Sequence, residues 1–255
     1  IRGTESNHTL ALVDGIRIHP GTIGLPGLQN IRPDMIERIE VVKGPRSALW
    51  GSDAIGGVVN VVTRRGSQDG WITEAGYGAY DTKRASINGG VDLGQSAALD
   101  VGVSWTDSDG FPTRTTDDID RGYENLSANV ALRADVGAAE VIVRHWRTEG
   151  TSEYSDFFLT PVDQDFVTST TAAEVRLPVG TDGEARVSIN HLEDEIQQNQ
   201  SPDFLETDRD TLDAQYDWQL SKVHGLGVGA MYSRERASSE SYGEGFKSDT
   251  DTVNV

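Results

Sequence analysis

The chain has 255 residues, a formal net charge of −19, no cysteine and a mean hydropathy of −0.44. A polyanion of this kind is a poor partner for nucleic acid, whose phosphates need Lys and Arg opposite them. Without thiols there are no disulfides, thiolate metal sites or cysteine nucleophiles. No stretch reaches the roughly 18 consecutive apolar residues of a membrane helix, but strands of about 10 residues, apolar on one face only, pass unnoticed in such averages.

Residues 1–66 read as compact mixed structure. Leu10 to Val13 is a short apolar run, followed by Asp14-Gly15 and Ile16-Arg17-Ile18. Asp-Gly between two apolar segments predicts a tight hairpin, because such turns need positive φ. His19 to Asn30 is rich in Gly and Pro and predicts a loop. Pro33 to Arg38 predicts about one helical turn, with Pro near its start. Ile39 to Val42 predicts a strand that stops at Gly44-Pro45, since Pro has no N–H to give a ladder.

From about Trp71 the pattern changes to two-residue alternation. Leu99, Val101, Val103 and Trp105 interleave with Asp100, Gly102 and Ser104. Ala128 to Ala134, Leu212 to Leu220 and Leu226 to Tyr232 repeat the pattern, which predicts strands with one apolar and one polar face. Connections alternate between short (94–96, 137–138, 181–183, 222–224) and long (108–121, 150–165, 197–208, 237–249). In an up-and-down meander this places short turns at one end and long acidic loops at the other, the asymmetry of outer-membrane barrels. A soluble barrel turns its apolar stripe inward, and alternation alone does not separate the two. Three features favour lipid: the strand number and length, the full charges on the polar face at Asp213 and Asp217, and aromatic residues near strand ends. Those aromatics are Trp71, Tyr77, Tyr80, Trp105, Tyr123, Trp146, Trp218 and Tyr232.

The most specific stretch runs from Ile36 to Thr63 and includes Glu37, Arg38, Glu40, Gly44, Pro45, Arg46, Gly51, Gly56 and Gly57. Within it, Ser47 to Trp50 predicts one turn closed by Gly51 in a left-handed conformation, and Gly56-Gly57 a bulge or close backbone approach. The stretch resembles the second half of the plug of TonB-dependent outer-membrane receptors, particularly those of the cobalamin type, with Trp50 where the family usually has Tyr. Leu12 to Gly15 matches the plug hairpin of the same family.

That resemblance implies a mainly β protein: part of an antiparallel transmembrane β-barrel, about 10 of 22 strands (67–255), around a partial mixed α/β plug (1–66). It implies active transport without enzymatic chemistry. A scarce nutrient, cobalamin or a related corrinoid, binds outside and reaches the periplasm on TonB-coupled energy. It places a substrate loop at the plug apex, with His19, Gly21, Thr22, Ile23, Gly24 and Leu25 as contacts. It also implies calcium, though no required cofactor, in loops bearing Asp107, Asp109, Asp118, Asp120 and Asp156. The TonB complex, the outer membrane and its lipopolysaccharide are the expected partners. The plug charges are expected to form a wet, ion-paired interface with the barrel wall. The chain also reads as a piece, without the plug's first half, the TonB box and the later strands. A siderophore or other metal-chelate receptor is the alternative within the family; a soluble β-rich binding module and an outer-membrane barrel enzyme are alternatives outside it. The five histidines show no metal-ligand spacing, and no phosphate loop is complete, since the Lys before Ser52 is absent.

Overall fold

The computed structural model describes residues 8–44, 54–64, 70–115, 118–156, 158–221 and 223–255. Two sheets account for them. The smaller contains β1 (Thr9–Val13), β2 (Ile16–Arg17), β3 (Ile36–Lys43) and β4 (Gly57–Thr63) in the order β2-β1-β4-β3. Strands β1 and β4 run parallel; the other pairings are antiparallel.

Asp14 and Gly15 make the β1–β2 turn at φ +50° and +83°, left-handed values that favour this dipeptide. The turn is also tied to β4. Asp14 accepts from the Thr63 N–H (3.0 Å) and Oγ1 (2.7 Å), and the Gly15 N–H donates to Asn60 Oδ1 (2.9 Å). The helical turn expected at 33–38 is shorter. Pro33–Met35 forms a 3-10 turn and Ile36 already belongs to β3. The register shift in the β3–β4 ladder falls at Ile36/Arg38, at the other end from Gly56-Gly57. Gly57 instead opens β4 at φ +146°, and Gly44 closes β3 at φ +94° with its N–H on the Gly56 carbonyl (3.1 Å). Pro45, Arg46, Gly51 and the turn expected at 47–50 lie outside the described residues.

The larger sheet is a meander of ten strands, each antiparallel to the next. They are β5 (Ile72–Tyr77), β6 (Lys83–Asp92), β7 (Ala97–Ser108), β8 (Tyr123–Val136), β9 (Ala139–Ser155), β10 (Pro161–Val179), β11 (Gly183–Gln198), β12 (Phe204–Gln219), β13 (Gly225–Ser241) and β14 (Glu244–Asn254). The four short turns fall at one end, at 93–96, 137–138, 180–182 and 220–224. At the other end only 109–122 is a long loop; the remaining connections are 78–82, 156–160, 199–203 and 242–243. Three of the long loops expected from the sequence are therefore mostly strand. Above a lipid band both faces of a strand meet water, so acidic residues such as Asp163, Asp165 and Asp208 continue the ladder while reading as loop.

The direction of the stripes is plain on β8. Leu126, Val130 and Leu132 are about 40% exposed, whereas Asn125 and Ser127 are fully buried. On β7, Asp100 and Ser104 are buried while Val103 is exposed. A water-soluble sheet does the reverse. The apolar face of the meander is thus left for hydrocarbon, and its polar face covers the small sheet.

That cover is partly apolar. Ala11, Val13, Ile18, Ile31, Met35 and Val61 form one core with Trp146 of β9 and Leu192 of β11. Leu10, Leu12, Ala54 and Val58 fill the opposite side of the small sheet. Trp146 was expected among interfacial aromatics. Its neighbours on the same face are Arg144 and Thr148, so it points inward and seals plug to wall. Tyr123 shares the inward face with Asn125, while Trp218 and Tyr232 are exposed on the outer face.

Candidate functional site

The loop from His19 to Asn30 lies level with the strand ends that carry the long connection. Each of its ends is fastened to a different part of the wall. At its start, the Arg209 guanidinium of β12 donates to the His19 carbonyl (2.6 Å) and to Glu235 of β13 (Nε to Oε2, 2.7 Å). The Gly21 N–H donates to Thr207 Oγ1 of β12 (3.0 Å). At its end, the Asn30 carbonyl accepts from Asn125 Nδ2 of β8 and Thr148 Oγ1 of β9, both at 3.0 Å, and Asn30 Oδ1 accepts from the Tyr123 hydroxyl (3.2 Å). Just beyond, Asp34 accepts from Ser104 Oγ (2.5 Å), which also receives the Arg32 Nε–H (3.3 Å). Arg144 of β9 donates to the carbonyl of Asp14 (2.9 Å) and pairs with Glu174 of β10 (3.3 Å).

Between these fastenings Ile23, Leu25 and Leu28 are exposed, with Gly24 at φ +64° giving the turn that presents them. Thr22 is half-buried. His19 differs from its expected role: it is buried, and its Nδ1 accepts the Ala11 N–H (3.2 Å), so its side chain supports the loop from beneath. The arginines flanking the loop are committed. Arg209 is held as above, Arg32 pairs with Asp34 (3.5 Å), and Arg121 donates to the carbonyls of Ile119 and Asp120 and to Ser155.

Glu37, Arg38 and Glu40 of the plug stretch lie on β3, an edge of the small sheet that the ten wall strands of this chain leave exposed. Arg38 pairs with Glu37 (2.7 Å) and Glu40 (2.9 Å) on the exposed strand β3. Hydrogen bonds from Asn60 and Arg38 hold the Glu40 carboxyl below its ordinary range. The charged groups that do cross between plug and wall do so through hydrogen bonds to neutral groups: Arg32 and Asp34 meet Ser104, Arg144 the Asp14 carbonyl and Arg209 the His19 carbonyl, while each ion pair stays within one side.

The five candidate calcium ligands are not gathered. Asp107 faces outward from β7 beside Lys83 (3.8 Å), and Asp156 accepts the Thr160 N–H (2.7 Å). Among the described residues no three His, Asp or Glu side chains come together as metal ligands, so the residues as placed do not fit a calcium ion.

Residues 1–58 match the family profile described as TonB-dependent Receptor Plug Domain. The first part of the chain thus matches the plug of TonB-dependent receptors. It is 33% identical over 171 residues to the vitamin B12 transporter BtuB of Vibrio cholerae, covering 61% of this chain and 28% of that protein. The BtuB of Photobacterium profundum is likewise 33% identical, over 174 residues, covering 63% and 27%. Among solved structures, the siderophore receptor PirA of Pseudomonas aeruginosa superposes with TM-score 0.75 at 22% identity, over 99% of this chain and 45% of its own. The ferric-catecholate import receptor Fiu of E. coli K12 gives 0.73 at 12%, over 94% and 44%. At those identities the structures establish the shared fold. The chain spans under a third of the curated relatives it matches. The family consists of outer-membrane β-barrel transport receptors, which agrees with the outward apolar stripes.

Proposed function

We propose that this receptor chain captures a corrinoid of the cobalamin class at the apical loop, and that the intact protein imports it into the periplasm with energy supplied through TonB. One observation carries the choice of ligand. The loop offers apolar side chains, Ile23, Leu25 and Leu28, and the arginines around it are bound to carbonyls, a hydroxyl and carboxylates. Such a surface suits a bulky ligand of low net charge with apolar faces. A ferric catecholate carries several negative charges. It would meet no uncommitted arginine among these flanking three and would approach a surface of net charge −19. The 33% identity to vitamin B12 transporters supports the same reading. No bond is made or broken in the ligand, so the residues act by binding alone. The outward face meets outer-membrane lipid, lipopolysaccharide included.

The test is equilibrium binding to the full-length protein in outer-membrane preparations. Cyanocobalamin is expected to bind saturably, and Ile23→Asp or Leu25→Asp to weaken it at least about tenfold by setting a charge against an apolar ligand face. Saturable uptake of a ferric catecholate with no cyanocobalamin binding would reverse the assignment in favour of a siderophore.

A further inference from the structure

Of the two fastenings of the apical loop, the one at its start is built around a buried charge. Arg209 is 4% exposed, points into the lumen from β12 and reaches the His19 carbonyl. Glu235, its cross-strand partner on β13, holds the guanidinium through Nε and Nη2. Gly21 lies over the same carboxylate; a Cβ built there overlaps Glu235 and touches Ala237. The absence of a side chain at 21 is therefore what lets Glu235 sit close enough to aim Arg209. Thr207, two residues along the same strand face, receives the Gly21 N–H. Two backbone groups within three residues of the loop thus rest on β12, with β13 steadying one of their partners through Glu235.

We propose that Arg209, aimed by Glu235, is a positioning residue that sets where the apical loop begins, and that ligand capture depends on this setting. The reading rests on the loop being the ligand site, as proposed above. Arg209 does not touch the ligand; it fixes residues 19–21 so that Ile23 and Leu25 are presented in one arrangement. Guanidinium geometry matters here. One planar group must donate to a carbonyl and a carboxylate at once, which a lysine ammonium does less well.

The experiment uses the full-length receptor on a cysteine-free background, with a nitroxide attached through Ile23→Cys or, separately, Gln29→Cys. Position 23 follows the Arg209 fastening, and 29 precedes the Asn30 fastening. Arg209→Lys, Glu235→Gln and Thr207→Val are expected to increase nitroxide mobility at 23 and leave 29 unchanged. In unlabelled protein the same variants are expected to weaken cyanocobalamin about tenfold, the scale of one charge-assisted hydrogen bond. Gly21→Ala should reproduce the Glu235→Gln result without touching Arg209. Unchanged mobility at 23 in all four variants overturns the proposal. Equal mobilisation at 23 and 29 also overturns it, because it shows general loosening of the plug. Mobilisation at 23 with undiminished cyanocobalamin affinity overturns the dependence of capture on the setting. Mobilisation at 23 in a receptor whose unsubstituted form does not bind cyanocobalamin supports the positioning role and rejects the corrinoid reading instead.

Discussion

Trp146 shows how one side chain joins the two parts of this receptor. It is 3% exposed, and its ring lies in the core formed by Ala11, Val13, Ile18 and Val61 of the plug. A large aromatic here does in the lumen what core residues do in soluble proteins, and its loss leaves a cavity between bodies whose apolar contact is then left to Leu192. Trp146→Ala is expected to lower stability by about 3–5 kcal/mol, measured by denaturant unfolding in detergent, with the plug becoming protease-sensitive before the wall. A wild-type midpoint would show that the plug does not depend on this ring. The inward position of this tryptophan was legible in principle: it shares parity with Arg144 and Thr148, and a strand cannot send residues of one parity to opposite faces. Proximity to other aromatics suggested a membrane girdle; parity was the stronger signal. Arg209 and Glu235 were hidden for a different reason. They lie in charged runs, Glu206 to Asp210 and Arg234 to Arg236, next to the connections expected at 197–208 and 237–249, where no apolar alternation marks the faces. Only pairing across β12 and β13 reveals that alternate members of those runs face the plug.

At the scale of the strand, the meander divides neighbouring residues between two solvents. On β11, Val187 and Ile189 are exposed on the outer face, while Ser188 and Asn190 turn to the lumen. Val187→Arg is expected to cost about 2–4 kcal/mol near the bilayer midplane, and Ser188→Arg, one position along the chain, to cost little. Urea titration of folding into liposomes measures both, and equal costs would mean that the stripe does not meet hydrocarbon. Turn chemistry was the most readable part of these elements. Asp14-Gly15 announced the β1–β2 hairpin, and the glycines at 94, 137 and 180 mark three of the four short turns at positive φ. Strand length was the least readable. Past the lipid, alternation ends while pairing continues, so β10 extends over 19 residues. The upper ends of these strands also knit to one another. Asp163 accepts the side-chain amides of Asn199 and Gln200, and the Tyr242 N–H donates to Asp203 (3.1 Å), tying β10 and two connections into one rim.

For the whole molecule, the chief consequence lies at the sheet edges. Strands β5 and β14 each have one neighbour within the chain, so each presents a row of unpaired backbone groups. In hydrocarbon every such group costs several kcal/mol, and in water the exposed outer stripe adds a hydrophobic face. Residues 1–255 produced alone are therefore expected to associate; a monodisperse, stable monomer by light scattering in detergent-free buffer would contradict the membrane reading.

The two fastenings of the apical loop have one more consequence. His19 to Gly21 is held by β12, Asn30 by β8 and β9, and the intervening residues 22–29 make none of those wall contacts. The segment is a cassette with fixed ends. Its sequence is open to exchange without redesigning either mooring, so under the binding role proposed for this loop ligand preference is free to diversify while the stopper beneath it stays the same.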